Sequence, residues 1–121
     1  MTLHSSHLPG GRRLTVYVPS VARRASATRL PLLVLHDGQN LFEGDRAYIP
    51  GQHWQVAESA DRLIAERVIR PLVVCGVDHA GVGRIREMTP TPGATGEGGG
   101  AARYAEMITG ELLPFMRANY P

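Results

Sequence analysis

The chain contains no lysine. All 13 of its basic residues are arginines, scattered from Arg12 to Arg117, and only Arg12-Arg13 and Arg23-Arg24 are adjacent. Aromatic residues make up only 6% of the sequence, and neither arginine pair sits among them, so the stacking platform used to bind single-stranded nucleic acid is missing. The net charge of +2 is therefore read as solvated surface. Without lysine there is also no P-loop, whose lysine reaches the nucleotide phosphates. Gly98-Gly99-Gly100 is read instead as a flexible glycine-rich loop, and Gly81-Val82-Gly83 lacks the third glycine of a dinucleotide fingerprint. Cysteine is nearly absent too. Cys75 stands alone, which excludes a disulfide framework and a cysteine-based zinc site, and its apolar surroundings predict a buried, inert thiol. No apolar run approaches the length that spans a bilayer. Met1–Gly10 has neither the charged start nor the long apolar stretch of a signal peptide. The expectation is a cytoplasmic protein with no membrane or nucleic-acid partner.

What is present is an ordinary globular balance, 43% hydrophobic and 20% charged over 121 residues, enough for one domain and short for a three-layer α/β enzyme. Arg12–Val18 alternates Leu14, Val16 and Val18 against Thr15 and Tyr17, the pattern of a half-buried strand. Leu3–Leu8 is expected to pair with it as a hairpin across Pro9-Gly10-Gly11. Pro19–Leu30 reads as a polar surface connection. Pro31–Leu35 is apolar on both faces and stops at His36-Asp37-Gly38, as a central parallel strand does, and Pro71–Val77 repeats the pattern before Asp78-His79. Between them, Trp54–Arg67 carries Val56, Ala57, Ala60, Leu63, Ile64 and Val68 at helical spacing. Asp78–Gly100 is a long aperiodic stretch, functional or disordered. The last helix is predicted over Ala101–Asn119, with Ala101, Ala105, Ile108, Leu112 and Phe115 as its buried stripe and a kink at Pro114. The fold class that results is α/β: an antiparallel strand pair followed by parallel strands with helices.

Ligands of open parallel sheets sit beyond the carboxyl ends of the strands, which directs attention to His36-Asp37-Gly38-Gln39-Asn40 and to Asp78-His79. Each of these polar residues also suits an ordinary loop, where such side chains satisfy backbone groups. One chemical reading is a metal-dependent hydrolase using His36, Asp37, Asp78 and His79, with His53 nearby, although no pair has helical H-E-x-x-H spacing. Another is serine hydrolysis. Ser5, Ser6, Ser20, Ser26 and Ser59 are the serines, and none lies in G-x-S-x-G, so no triad can be assembled. Half of an oxyanion hole can be, since that half comes from the loop after the third strand. Here that loop is Asp37-Gly38-Gln39, with Gly38 expected to let the backbone turn.

At these residues the sequence resembles a known family. Leu32-Leu-Val-Leu-His-Asp-Gly-Gln-Asn-Leu-Phe42 is similar to the strand-and-loop signature of the "Putative esterase" family of α/β-hydrolases, which includes enterochelin esterases, S-formylglutathione hydrolases and mycolyltransferases. Further matches follow in order: Trp54 opening a helix, Val73–His79, Arg84–Pro90 and Ala105–Phe115. The resemblance implies the N-terminal part of one three-layer α/β-hydrolase domain, residues 1–121, ending before the nucleophile elbow. It implies a serine esterase acting on a carboxylic ester or thioester through an acyl-enzyme, with no cofactor and no metal. Gln39 would supply a backbone N–H to the oxyanion hole and Gly38 would shape the turn, while Asp37, Asn40 and Trp54 would meet the substrate. His36 stands where many relatives carry Leu. Arg86 and Glu87 would make either a rim salt bridge or substrate contacts, and Trp54 is either core or acyl pocket. A truncated, non-catalytic binding domain is the alternative, and the oligomeric state is left open.

Overall fold

A computed structural model describes residues 1–23 and 29–121. They gather into two compact units, one made of Met1–Arg13 and His79–Tyr120, the other of Leu14–Asp78 and Pro121. The connection expected over Pro19–Leu30 begins with a 3-10 turn at Ser20–Arg23, and its residues 24–28 lie outside the described residues.

The second unit holds the parallel strands. Strand β2 (Gly11–Tyr17) contributes its last four residues, which pair antiparallel with β4 (Val73–Val77), from Leu14 opposite Val77 to Tyr17 opposite Val74. On the other side, β3 (Leu32–His36) pairs with β4 in parallel from Leu32 opposite Val73 to His36 opposite Val77. The sheet is therefore mixed, in the order β2-β4-β3. Both continuous apolar runs form strands, but they are not equivalent. Every residue of β4 is buried, as a central strand's should be, whereas β3 has one neighbouring strand among the described residues and leaves Leu33 42% exposed. Helix α1 (Val56–Ala65) makes the crossover, shorter than predicted at both ends. Trp54 precedes it rather than opening it, and Val68 lies past its end, exposed. The end is a Schellman motif: Arg67 takes the left-handed conformation, its N–H bonds to Ile64 O, and that of Val68 bonds to Leu63 O. The core of this unit is Leu14, Leu41, Ala47, Ala60, Val73, Val74, Cys75 and Val77 among the described residues. Burial pushes the Cys75 thiol up to about 11, which keeps it protonated and inert.

In the first unit the hairpin is present but small. Strand β1 (Thr2–His4) pairs antiparallel with Gly11–Arg13, and the link between them is longer than the predicted Pro-Gly-Gly turn. Arg12 points inward and is buried, contrary to the expectation that the arginines are all solvated. The stretch predicted as aperiodic contains helix α2 (Arg84–Met88). The glycine run that follows it is not loose. Gly99 and Ala101 donate to Thr89 O and Gly100 donates to Arg86 O, while a Cβ on Gly100 would stand 2.6 Å from that same carbonyl. Gly99 and Gly100 thus clasp the C-terminal end of α2, and their amides are committed to it.

The last helix deviates from the predicted stripe. It comprises α3 (Ala101–Met107), a π-helical segment over Ile108–Leu112 and α4 (Leu113–Asn119). Its buried residues are Tyr104, Met107, Leu112 and Met116, and Ala105 is exposed. Five residues separate Met107 from Leu112, about 140° out of phase in an α-helix, but a π turn brings them to one face. Pro114 explains the irregularity. In an α-helix its ring would strike the carbonyl of Gly110, and the wider turn just before it relieves the collision. Glu111, within the π segment, accepts hydrogen bonds from Ser6 N–H at 2.8 Å and Ser6 Oγ at 2.5 Å. Hydrogen bonds from Ser5 and Ser6 hold its carboxyl down at about 2. Among the described residues no helix is long and apolar enough to cross a membrane.

Candidate functional site

The carboxyl ends of β3 and β4 lie side by side, because the two strands are in parallel register up to His36 and Val77. Immediately after β3 the chain makes a 3-10 turn over Gly38–Asn40, entered through Asp37 in the left-handed conformation at φ 54°. The positive φ thus falls at Asp37, not at Gly38 as the sequence suggested. Glycine at 38 is needed for a different reason, close approach. A Cβ there would sit 2.7 Å from the carbonyl carbon of Gly76, 2.8 Å from Val77 N and 2.9 Å from Asp78 Oδ1. A Cβ on Gly76 would in turn stand 3.2 Å from Gly38 Cα. Two facing glycines therefore seat the turn directly on the end of β4. Since the two nearest obstacles are backbone atoms that cannot rotate aside, Gly38→Ala should destabilise the protein by about 3 kcal/mol, the upper part of the usual overpacking range. Chemical denaturation measures this, and a variant within about 0.5 kcal/mol of wild type would mean that the turn stands off the strand.

The seat is fastened by a group that sequence reading missed. Arg46 donates through Nη1 to Asp78 Oδ2 at 2.7 Å and through Nη2 to Thr15 Oγ1 at 3.1 Å, tying the interior of β2 to the residue that follows β4. Nothing in the spacing around Arg46 signals this, because its partners are 31 and 32 residues away. Asp78, considered as a metal ligand, serves instead as the anchor of this ion pair.

Asn40 organises the neighbouring loop. Its carbonyl accepts from Trp54 N–H at 2.8 Å, and its side-chain Oδ1 accepts from Tyr48 N–H at 2.8 Å. Leu41 O likewise accepts from Val56 N–H, which starts α1 against the turn. Trp54 is 60% exposed, so it is not a core residue. With Asn40, Tyr48, Ile49 and His53 it lines a depression of about 230 Å³. Gly38, Gln39, Asn40, Asp78 and Trp54 are thus brought into one neighbourhood. Asp37 is half-buried at the turn's entry, and His36 ends β3 exposed.

The metal reading gains nothing from this geometry. His53 Nδ1 accepts the Gln55 N–H at 3.1 Å, and in the first unit His79 Nδ1 accepts the Gly81 N–H at 2.7 Å. Among the described residues no three His, Cys, Asp or Glu side chains converge as a metal site. Glu87, expected at a rim or on substrate, is buried in the first unit and paired with the buried Arg12.

Solved structures share this fold, among them the following three. An IroE-like serine hydrolase from Shewanella oneidensis superposes with a TM-score of 0.76 at 21% identity, over 99% of this chain and 38% of that one. The BES protein from Bacillus cereus gives 0.74 at 17% identity, over 99% and 45%. A ferulic acid esterase gives 0.65 at 21% identity, over 99% and 43%. The chain therefore spans less than half the length of each. No curated protein sequence matches it. The pattern that defines the "Putative esterase" family matches residues 5–121, nearly the whole sequence, and the chain belongs to that family, with the fold of an α/β-hydrolase.

Proposed function

We propose that the chain forms the oxyanion-loop half of a serine esterase that hydrolyses a carboxylic ester or thioester through an acyl-enzyme. The observation that carries this reading is the Gly38–Asn40 turn pressed onto the end of β4 through Gly38 and Gly76. It stands where parallel sheets receive their ligands, in a chain of an esterase family. When a nucleophile adds to the ester carbonyl, the oxygen gains negative charge, and a rigid N–H aimed at that position stabilises it without reorganising. In this reading Gln39 N–H is the donor, Gly38 permits the approach, and Arg46 with Asp78 keeps the seat rigid. Asp37 and Asn40 border the substrate, and the exposed ring of Trp54 offers an apolar surface to it. Nucleophile, acid and base come from a segment that the 121 residues do not include, since none of the five serines lies in G-x-S-x-G. The substrate is a small-molecule ester met in the cytoplasm, and no cofactor takes part.

The test compares two proteins on p-nitrophenyl acetate. The 121-residue chain alone should leave the ester at its uncatalysed rate. The same chain continued by a segment with G-x-S-x-G, an acid and a histidine should turn it over with saturation. Saturable turnover by the short chain that survives repurification and is lost on altering His36–Asn40 would overturn the reading. A completed protein with no turnover would overturn it equally.

A further inference from the structure

The first unit contains a cavity of about 750 Å³ that the esterase reading does not use. That volume lies within the range of small-molecule sites. Its wall is two-sided. Leu8, Pro9 and Val82 supply apolar surface, Val82 being fully exposed, and Arg86 and Arg103 supply two exposed guanidinium groups. No hydrogen bond or ion pair engages either guanidinium among the described residues. The remaining charges at the wall are spoken for. Arg12 and Glu87, each 5% exposed, neutralise one another. His7 lies 3.3 Å from Glu106 and 4.0 Å from Glu111. Net positive charge at the cavity is thus that of Arg86 and Arg103. Beside them the buried pair is incompletely satisfied, since Glu87 Oε2 and Arg12 Nε have no hydrogen-bond partner. Backbone amides do not compete for an anion, because those of Gly99, Gly100 and Ala101 are bonded to Thr89 and Arg86 carbonyls.

We propose that this cavity is a binding site for a small organic carboxylate with an apolar body. A planar carboxylate matches guanidinium donors two at a time, and the apolar body covers Leu8, Pro9 and Val82. A phosphate dianion fits less well, because it has no apolar part to bury against Leu8, Pro9 and Val82. The site uses only residues of the first unit and stands independently of the esterase reading.

The test is titration of the whole chain with sodium benzoate, followed by amide NMR shifts at constant ionic strength. Benzoate should give saturable shifts at Gly83, Gly99 and Arg103, and isosteric, uncharged benzamide should not. Arg86→Gln and Arg103→Gln change exposed side chains, so the spectrum elsewhere should be retained while each weakens benzoate by about tenfold, the loss of one charge-assisted contact. Benzamide binding as well as benzoate, or variants binding as wild type, would overturn the proposal. So would inorganic phosphate displacing benzoate at equal concentration, or benzoate producing no saturable shift.

Discussion

In a completed esterase built on this chain, Gln39→Pro is expected to lower kcat by a hundredfold or more, and Gln39→Ala to leave it nearly unchanged. Proline lacks the backbone N–H that alanine keeps. Loss of one oxyanion donor costs roughly 3–4 kcal/mol of transition-state stabilisation, and each ~1.4 kcal/mol is a factor of ten in rate. Proline's fixed φ suits the start of a helical turn, and residue 39 lies in the 3-10 turn that follows β3, so the fold should survive; equal denaturation midpoints for the two variants would verify that. KM should move less than kcat, because the oxygen is charged in the transition state and neutral in the bound ester. An alanine variant as slow as the proline variant would transfer the role to the Gln39 side chain. A proline variant as fast as wild type would remove the turn from the chemistry.

The second large effect is on stability. Arg12→Met or Glu87→Leu alone should cost about 3–5 kcal/mol, because each leaves its partner as an uncompensated buried charge. Both residues are 5% exposed and ion-paired, and Arg12 Nη1 also donates to Pro9 O at 3.2 Å and Gly11 O at 3.3 Å. A loss of that size consumes much of the ~5–15 kcal/mol that keeps an ordinary domain folded. The double variant should recover most of it, since well-packed apolar residues often replace a buried pair without net loss. A double-mutant cycle in chemical denaturant reads the coupling directly. Single variants that cost less than about 1 kcal/mol, the worth of an exposed pair, would show that water reaches the pair.

Local pattern explains what could be read in advance. Leu32–Leu35 and Val73–Val77 are strands because continuous apolar runs bounded by polar residues suit a parallel sheet, and α1 follows from helical spacing of Val56, Ala60 and Leu63. The family was legible because its motifs are contiguous runs in a set order. The stripe of the last helix was misread at a specific point. Helical periodicity assumes a constant advance per residue, and the π segment before Pro114 breaks it, moving burial from Ala105, Ile108 and Phe115 to Tyr104, Met107 and Met116. That Pro114 disturbs the helix was visible; that the disturbance would be a wider turn was not.

Gly38 marks the limit most clearly. Its identity in the sequence announced a position intolerant of a side chain, and the carboxyl end of an apolar run is where open parallel sheets in general receive their ligands. Whether the intolerance came from dihedral angle or from proximity depended on where Gly76 and Val77 would lie, nearly forty residues onward. The same holds for Arg46 on Asp78 and Thr15, and for Arg12 with Glu87, 75 residues apart. By itself the sequence determined the order of the main elements, the α/β class and the family, because these follow from local backbone preference and contiguous pattern. Which charges are buried, which glycine touches which strand and that Arg86 and Arg103 line one cavity were decided only in the tertiary structure, because a pairwise contact between distant residues leaves no periodic trace in either segment.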